Sequence, residues 1–217
     1  MITNICFHGI GRCEREREPG EAHYWITRDM FHGVLDEVAG RADVRLSFDD
    51  GNRSDVDVAL PALTARGLTG TFFALAGRLD DPASLTPGDL KALRAAGMDV
   101  GSHGWAHIPW RGLTAPEAQR ELVEARTALA EAAGSEIRDA ALPLGRYDRA
   151  LLGRIRPLGY RTVFTSDRFR AREGSWLQAR YSVTAEDTIA SVRRVLDGGD
   201  RLQRMRNGLA SRVKRLR

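Results

Sequence analysis

The chain has only two cysteines, Cys6 and Cys13, among 217 residues. One pair cannot supply a disulfide framework, so the expectation is an intracellular protein with both thiols reduced. No apolar run is long enough to cross a bilayer, and Met1-Ile2-Thr3-Asn4 lacks the basic stretch that opens a leader peptide. Cytoplasmic residence is the corresponding expectation. There is no internal repeat and no low-complexity linker, which excludes a solenoid and argues against a string of domains. What remains is a composition of 42% hydrophobic and 29% charged residues, that of a globular domain with enough length to bury a full core.

Charge is unevenly spread. The net charge is +4, yet residues 201–217 hold seven Lys/Arg and no acid; removing those seven turns the net charge to −3. The body is not basic and the tail has no interleaved aromatics, so nucleic-acid binding is the weaker option and no nucleic-acid partner is expected.

Apolar runs alternate with helical patterns. Ile2–Cys6, Val44–Phe48, Gly70–Ala76, Met98–Val100, Arg138–Leu142, Arg161–Phe164 and Tyr181–Val183 read as strands. Val56, Leu60 and Leu63 keep helical spacing, as do Leu122, Ala125 and Leu129 after the Thr114/Glu117 capping box. A last helix is expected from about Glu186 to Leu196. Such alternation predicts parallel strands covered by helices. His8, Asp49, Asp50, His103, Leu144-Gly145 and Asp167 all fall at or just past strand ends. In a barrel those ends converge on one mouth, so a (β/α) barrel is favoured over an open sheet.

Two motifs carry chemistry. Leu46-Ser47-Phe48-Asp49-Asp50-Gly51 ends a strand with adjacent carboxylates, and Ser102-His103-Gly104-Trp105-Ala106-His107 follows a strand with two imidazoles. One Asp with two His suffices to hold a catalytic divalent metal with an open position, leaving the second Asp to act as a base on water. Asp-Asp-Gly is also a common turn, and His-x-x-x-His alone has many structural occurrences. The four-residue spacing would place His103 and His107 on one side of a helical turn.

These motifs, with the later Pro143-Leu144-Gly145, resemble the polysaccharide deacetylases, the family four carbohydrate esterases. The resemblance runs from about Asn4 to Val183. It implies a distorted (β/α) barrel of about seven parallel strands and removal of acetyl groups from N-acetylated sugars in a polysaccharide or glycan precursor. By position it implies Asp49 as catalytic base and Asp50, His103 and His107 as ligands of a divalent metal, zinc first and cobalt, nickel or manganese as alternatives. It also implies Leu144 as a backbone contributor to the oxyanion hole, and Trp176 either as the aromatic of the acetyl pocket or as a core residue.

The sequence departs from the family twice. An Arg usually precedes the third-motif Pro by two residues, and here Ala141 stands there. The late Leu-x-His that supplies the acid is absent. His8, closing the strand Ile5-Cys6-Phe7, resembles the first-strand His of circularly permuted poly-N-acetylglucosamine deacetylases, which implies His8 as the acid. Arg180 or Arg146 is the candidate to replace the missing Arg. Tyr24, Trp25, Trp176, Asp167 and Arg180 are the candidates for substrate contact; Tyr24 and Trp25, in a polar loop from Gly9 to Thr27, either stack on a sugar or staple the loop.

Residues 1–200 read as the catalytic domain. In residues 201–217, Leu202, Met205, Leu209, Val213 and Leu216 recur at helical spacing among basic residues. That basic amphipathic helix either packs on the barrel or lies on the inner membrane surface, where a lipid-linked glycan would be met. The competing functions are an O-acetyl esterase or non-sugar amidase on the same scaffold, and a catalytically weakened glycan-binding protein.

Overall fold

The computed structural model describes residues 1–199 and 201–216. The expected domain boundary at residue 200 and the terminal Arg217 lie outside the described residues. Strands are β1 (Thr3–Phe7), β2 (Gly9–Ile10), β3 (Trp25–Ile26), β4 (Val44–Phe48), β5 (Gly70–Ala74), β6 (Asp99–Ser102), β7 (Asp139–Ala141), β8 (Thr162–Thr165), β9 (Leu177–Ala179) and β10 (Tyr181–Ser182). Eight of them form one all-parallel sheet in the order β10-β1-β4-β5-β6-β7-β8-β9. Its two edges, β9 and β10, are successive pieces of one run interrupted only at Arg180. The run pairs with β8 on one side and β1 on the other, so the sheet curls into a nearly closed barrel. This is the distorted barrel expected, with eight hydrogen-bonded strands where about seven were anticipated.

Helices α1 (Arg28–Val38), α2 (Leu60–Thr64), α3 (Pro87–Ala95), α4 (Ala115–Ala118), α5 (Ala125–Ala133), α6 (Arg149–Ile155), α7 (Ile189–Leu196) and α8 (Arg201–Leu216) connect or follow the strands. Their starts are written locally. Thr27 caps α1, Thr86, Thr114 and Thr188 form reciprocal capping boxes, and Asp148 caps α6. α1, α6 and the short pair β2–β3 were not anticipated from the sequence.

Strand alternation decides which residues look inward. Ile5, Phe7, Leu46, Phe48 and Phe72 face the helical layer, where Phe7 and Phe48 pack with Phe31 of α1. Asn4, Ser47, Phe73, Phe164, Gln178 and Arg180 meet inside the barrel: Asn4 donates to Gln178, Phe73 lies 5.4 Å from Phe164, and Arg180 donates to Ser47. Gly101 of β6 is small of necessity, since a Cβ there would come within 2.4 Å of the Phe73 ring. His8, Asp49 and His103 continue the inward rows of β1, β4 and β6 one step past each strand, at the C-terminal mouth.

Helix α8 does not pack by its apolar stripe. Asn207 donates to the Arg168 carbonyl, Ser211 is buried against the Tyr147 hydroxyl, and Lys214 binds Asp167 at 2.6 Å. Met205, Leu209 and Leu216, on the opposite side, remain 72%, 63% and 77% exposed.

Candidate active site

Asp49 and Asp50 leave β4 in different directions because Asp50 takes a left-handed backbone (φ 73°) before Gly51. Asp49 turns into the barrel and receives both arms of the Arg180 guanidinium, Nη1 to Oδ1 at 2.6 Å and Nη2 to Oδ2 at 2.7 Å. Both side chains are buried. Burial pushes the Asp49 carboxyl up, but the charge and hydrogen bonds of Arg180, together with His103 and His8, outweigh it and hold Asp49 below the ordinary carboxylate range. Arg180 itself lies near the Phe73 and Phe164 rings, at 5.3 and 5.6 Å.

Asp50 turns toward the histidines. Its Oδ1 lies 3.5 Å from His103 Nε2 and 3.3 Å from His107 Nε2. The other ring nitrogen of each histidine is spoken for: His103 Nδ1 meets the Ala141 carbonyl at 2.9 Å, and His107 Nδ1 meets Glu18 Oε2 at 2.6 Å. A carbonyl and a carboxylate only accept, so Nδ1 carries the proton in the neutral rings and the Nε2 lone pairs face Asp50. The buried Asp50 Oδ1 has no hydrogen-bond donor among the described residues. Three lone-pair donors, all within 4.8 Å of one another, fit a divalent cation of the N/O-binding class. Burial raises the Asp50 carboxyl, and the surrounding histidines more than reverse it, holding the group far below its usual range.

His103 and His107 do not share a helical turn, contrary to the expectation from their spacing. Gly104 (φ 90°) and His107 (φ 58°) are left-handed, and the segment folds into a compact loop. Both oxygens of the buried Glu121 accept backbone N–H groups there, from Trp105 at 2.8 Å and Ala106 at 3.0 Å. A Cβ at Gly104 would strike Glu121 at 2.4 Å, which is why the loop can fold only around a glycine.

His8 stands across the pocket, its ring 4.7 Å from that of Tyr24. Burial lowers its pKa, and the charges of Asp50 and Asp49 offset this only in part. Cys6, His8 and Asp49 also bring donor atoms within 4.8 Å. That trio is poorly suited to a metal, because burial keeps the Cys6 thiol protonated and Asp49 is engaged by Arg180.

These groups line one cavity of about 260 Å³, together with Tyr24, Arg146 and Leu144. Leu144 adopts a left-handed backbone (φ 55°) within the Pro143–Gly145 turn, and its side chain is half exposed at the rim. Three substrate-contact candidates stand elsewhere. The Trp176 indole donates to the Tyr160 carbonyl under Arg156, on the outer wall of the barrel. Asp167 is buried against Tyr147, Thr165 and Lys214. Trp25 lies flat over Gly9, where a Cβ would meet its ring at 2.0 Å, so it staples the loop. Asp167 follows β8 at the mouth but its side chain turns away from the cavity, whereas Trp176 precedes β9 and so stands at the opposite, N-terminal end of the barrel. Arg146, the other candidate to face Asp49, is exposed at the rim while Arg180 holds the carboxylate.

Glu18 and Glu121 carried no signal in the sequence beyond being acids in a charged loop and a helix.

Residues 37–163, more than half of the chain, match the sequence model of the family described as Polysaccharide deacetylase. YxkH of Bacillus subtilis (strain 168), named as a polysaccharide deacetylase, is 24% identical over 165 residues, 76% of this chain and 57% of its own length. The chain thus spans little more than half of that curated relative. Among solved structures, the Streptococcus pyogenes deacetylase PplD in complex with acetate superimposes with a TM-score of 0.76 at 18% identity, covering 90% of this chain and 97% of that one. IcaB from Ammonifex degensii gives 0.72 at 23% identity, covering 91% and 97%. At those identities the structures speak for the barrel, and the sequence match speaks for the lineage: the chain belongs to the polysaccharide deacetylase family.

Proposed function

We propose that this protein is a metal-dependent carbohydrate N-deacetylase, hydrolysing the acetamide of an N-acetylated sugar in a glycan or glycan precursor. The observation that carries the reading is the Asp49–Arg180 pair standing beside Asp50, His103 and His107 in one cavity with His8.

Asp50, His103 and His107 would hold the cation, zinc being the first choice and cobalt, nickel or manganese the alternatives. When bound, it would supply Lewis acidity to the acetyl carbonyl and lower the pKa of water. Asp49 then accepts a proton from the attacking water. Arg180, with His103 and His8 beside it, keeps Asp49 ionised and so ready to accept that proton. Leu144, at the rim, offers its backbone N–H to the developing oxyanion. Protonated His8 gives its proton to the nitrogen as the C–N bond breaks, and acetate and a free amine leave. Tyr24, whose ring lies beside that of His8, would stack on the sugar.

Arg180 also bears on the alternatives. A weakened glycan-binding protein was suggested by the missing Arg at Ala141, and a base already held by a guanidinium supports turnover instead. Acetate release from N-acetylated oligosaccharides, with and without chelator and with zinc restored, tests the proposal. Release that chelator does not affect would overturn the metal assignment. Release only from O-acetylated glycans would favour the esterase.

We place the activity in residues 1–200, in the cytoplasm, where the free Cys6 and Cys13 are at home. Among the described residues no helix is long and apolar enough to cross a membrane. Peripheral contact of α8 with an anionic membrane surface belongs to the same reading. Its apolar residues point outward between basic ones, an arrangement complementary to acidic headgroups over acyl chains.

A further inference from the structure

The two histidines of the proposed metal site are oriented by different means. His103 is fixed by the carbonyl of Ala141, part of the barrel sheet. His107 lies outside regular secondary structure, and the partner at its Nδ1 is a side chain, Glu18. Glu18 belongs to the segment 11–24 between β2 and β3, and its second oxygen accepts from Arg78 at 2.5 Å. Arg17, next to it, braces the segment internally through Glu21 and ties it down through Ser84 and Asn52. Glu18, Pro19, Gly20, Glu21 and Tyr24 form one wall of the cavity, and Tyr24 reaches His8.

We infer that Glu18 is a positioning residue for His107, and that through this contact metal binding and docking of segment 11–24 over the cleft are coupled. The inference rests on the metal-dependent reading above. A carboxylate on Nδ1–H fixes the tautomer and aim of the ring and raises the basicity of Nε2, so a docked segment binds the cation more tightly. Linkage is reciprocal: whatever factor docking contributes to metal affinity, the metal returns to docking. Loading the site thereby completes the substrate wall, and a metal-free enzyme has a looser cleft.

The test measures zinc affinity by chelator competition, and tryptic cleavage at the exposed Arg12 and Arg15 with and without zinc. In the wild type, zinc should protect both sites. Glu18→Ala should weaken zinc binding by about 10–100-fold and abolish that protection. Glu18→Gln, which keeps an acceptor for Nδ1–H, should retain most of the affinity, whereas Glu18→Met, which keeps comparable bulk without an acceptor, should not, a split that a mere packing role would not produce. Should Glu18→Ala fail to fold, Arg78→Ala, which frees one oxygen of Glu18, should show a smaller loss in the same direction. Zinc affinity within twofold of wild type and unchanged protection in Glu18→Ala would overturn the inference while leaving the metal site intact. A wild type that binds no zinc would instead overturn the metal reading on which it rests.

Discussion

Arg180 and Asp49 form a two-pronged ion pair inside the barrel, across 131 positions of sequence and at the one point where the sheet run breaks between β9 and β10. The break matters. Arg180 N–H still bonds the Thr165 carbonyl, and its own carbonyl accepts from Arg168, so the guanidinium is carried by a pinned backbone. Asp49 is thus presented as an ionised, oriented carboxylate without a residue from the third motif.

Removing that partner should cost both catalysis and stability. Arg180→Ala leaves a buried carboxylate unpaired, a loss of about 3–5 kcal/mol, and should lower kcat by roughly 100-fold or more, the scale of a positioned acid–base group. Arg180→Lys keeps the charge but loses the fork, and should fall between the two. Zinc affinity should change little in either. Thermal melts and steady-state kinetics check this, and full turnover in Arg180→Ala would remove Arg180 from the mechanism.

The acid–base and metal-binding roles should separate cleanly. His103→Ala and His107→Ala should lose zinc and activity together. His8→Ala and Asp49→Asn should keep zinc in a dialysed, metal-quantified sample while kcat falls by about 10²–10⁴. Loss of zinc from His8→Ala would contradict its assignment as the acid.

The barrel and the cluster at its mouth were legible because both rest on local patterns. Apolar runs ending in Asp49-Asp50 and Ser102-His103 signal strand ends, and parallel strands bring such ends together. Arg180 was legible only as a charge looking for a role, since its pairing is created by sheet closure. Trp176, offered by the resemblance either as a pocket aromatic or as a core residue, packs against the core, and Asp167 misled for a related reason. Near a strand end, a shift of one residue exchanges the interior for the outer wall, and no spacing rule fixes which is taken. Glu18 was illegible altogether: it is one of several acids in a charged segment, chosen by where the chain folds back.

Asp55 should make stability pH-dependent. It opens the π-helical turn Asp55–Ala59, is fully buried, and neither carboxylate oxygen has a partner among the described residues. Burial first, then the nearby Asp50 and Asp49, push its carboxyl well above the ordinary value. The folded state therefore holds a proton that the unfolded chain releases, and stability falls as pH rises from the ordinary Asp range, about 3.9, through the raised value. Asp55→Asn should be more stable than wild type at neutral pH, each kcal/mol raising Tm by roughly 2–4 °C. The advantage should shrink toward acid. Melts of both proteins in chelator check this, and a difference that does not vary with pH would refute it.

The orientation of α8 gives the last prediction. A helix that served only to cover the barrel would bury Met205, Leu209 and Val213; instead Asn207, Ser211 and Lys214 make the contacts, and the apolar side is left to solvent. Exposed apolar surface is costly unless something covers it. If that cover is a bilayer, the seven basic residues of 201–217 should favour an anionic one over a neutral one. The protein should float with phosphatidylglycerol-containing liposomes and not with phosphatidylcholine alone, and the binding should weaken as salt rises. Met205→Glu with Leu209→Glu should abolish flotation without lowering turnover on a soluble oligosaccharide. Because the contacts of α8 to Tyr147, Asp167 and Arg168 are on its other side, the fold should survive the change. Concentration-dependent dimerisation lost in the same double variant, with no flotation in the wild type, would assign the stripe to a second copy of the chain instead.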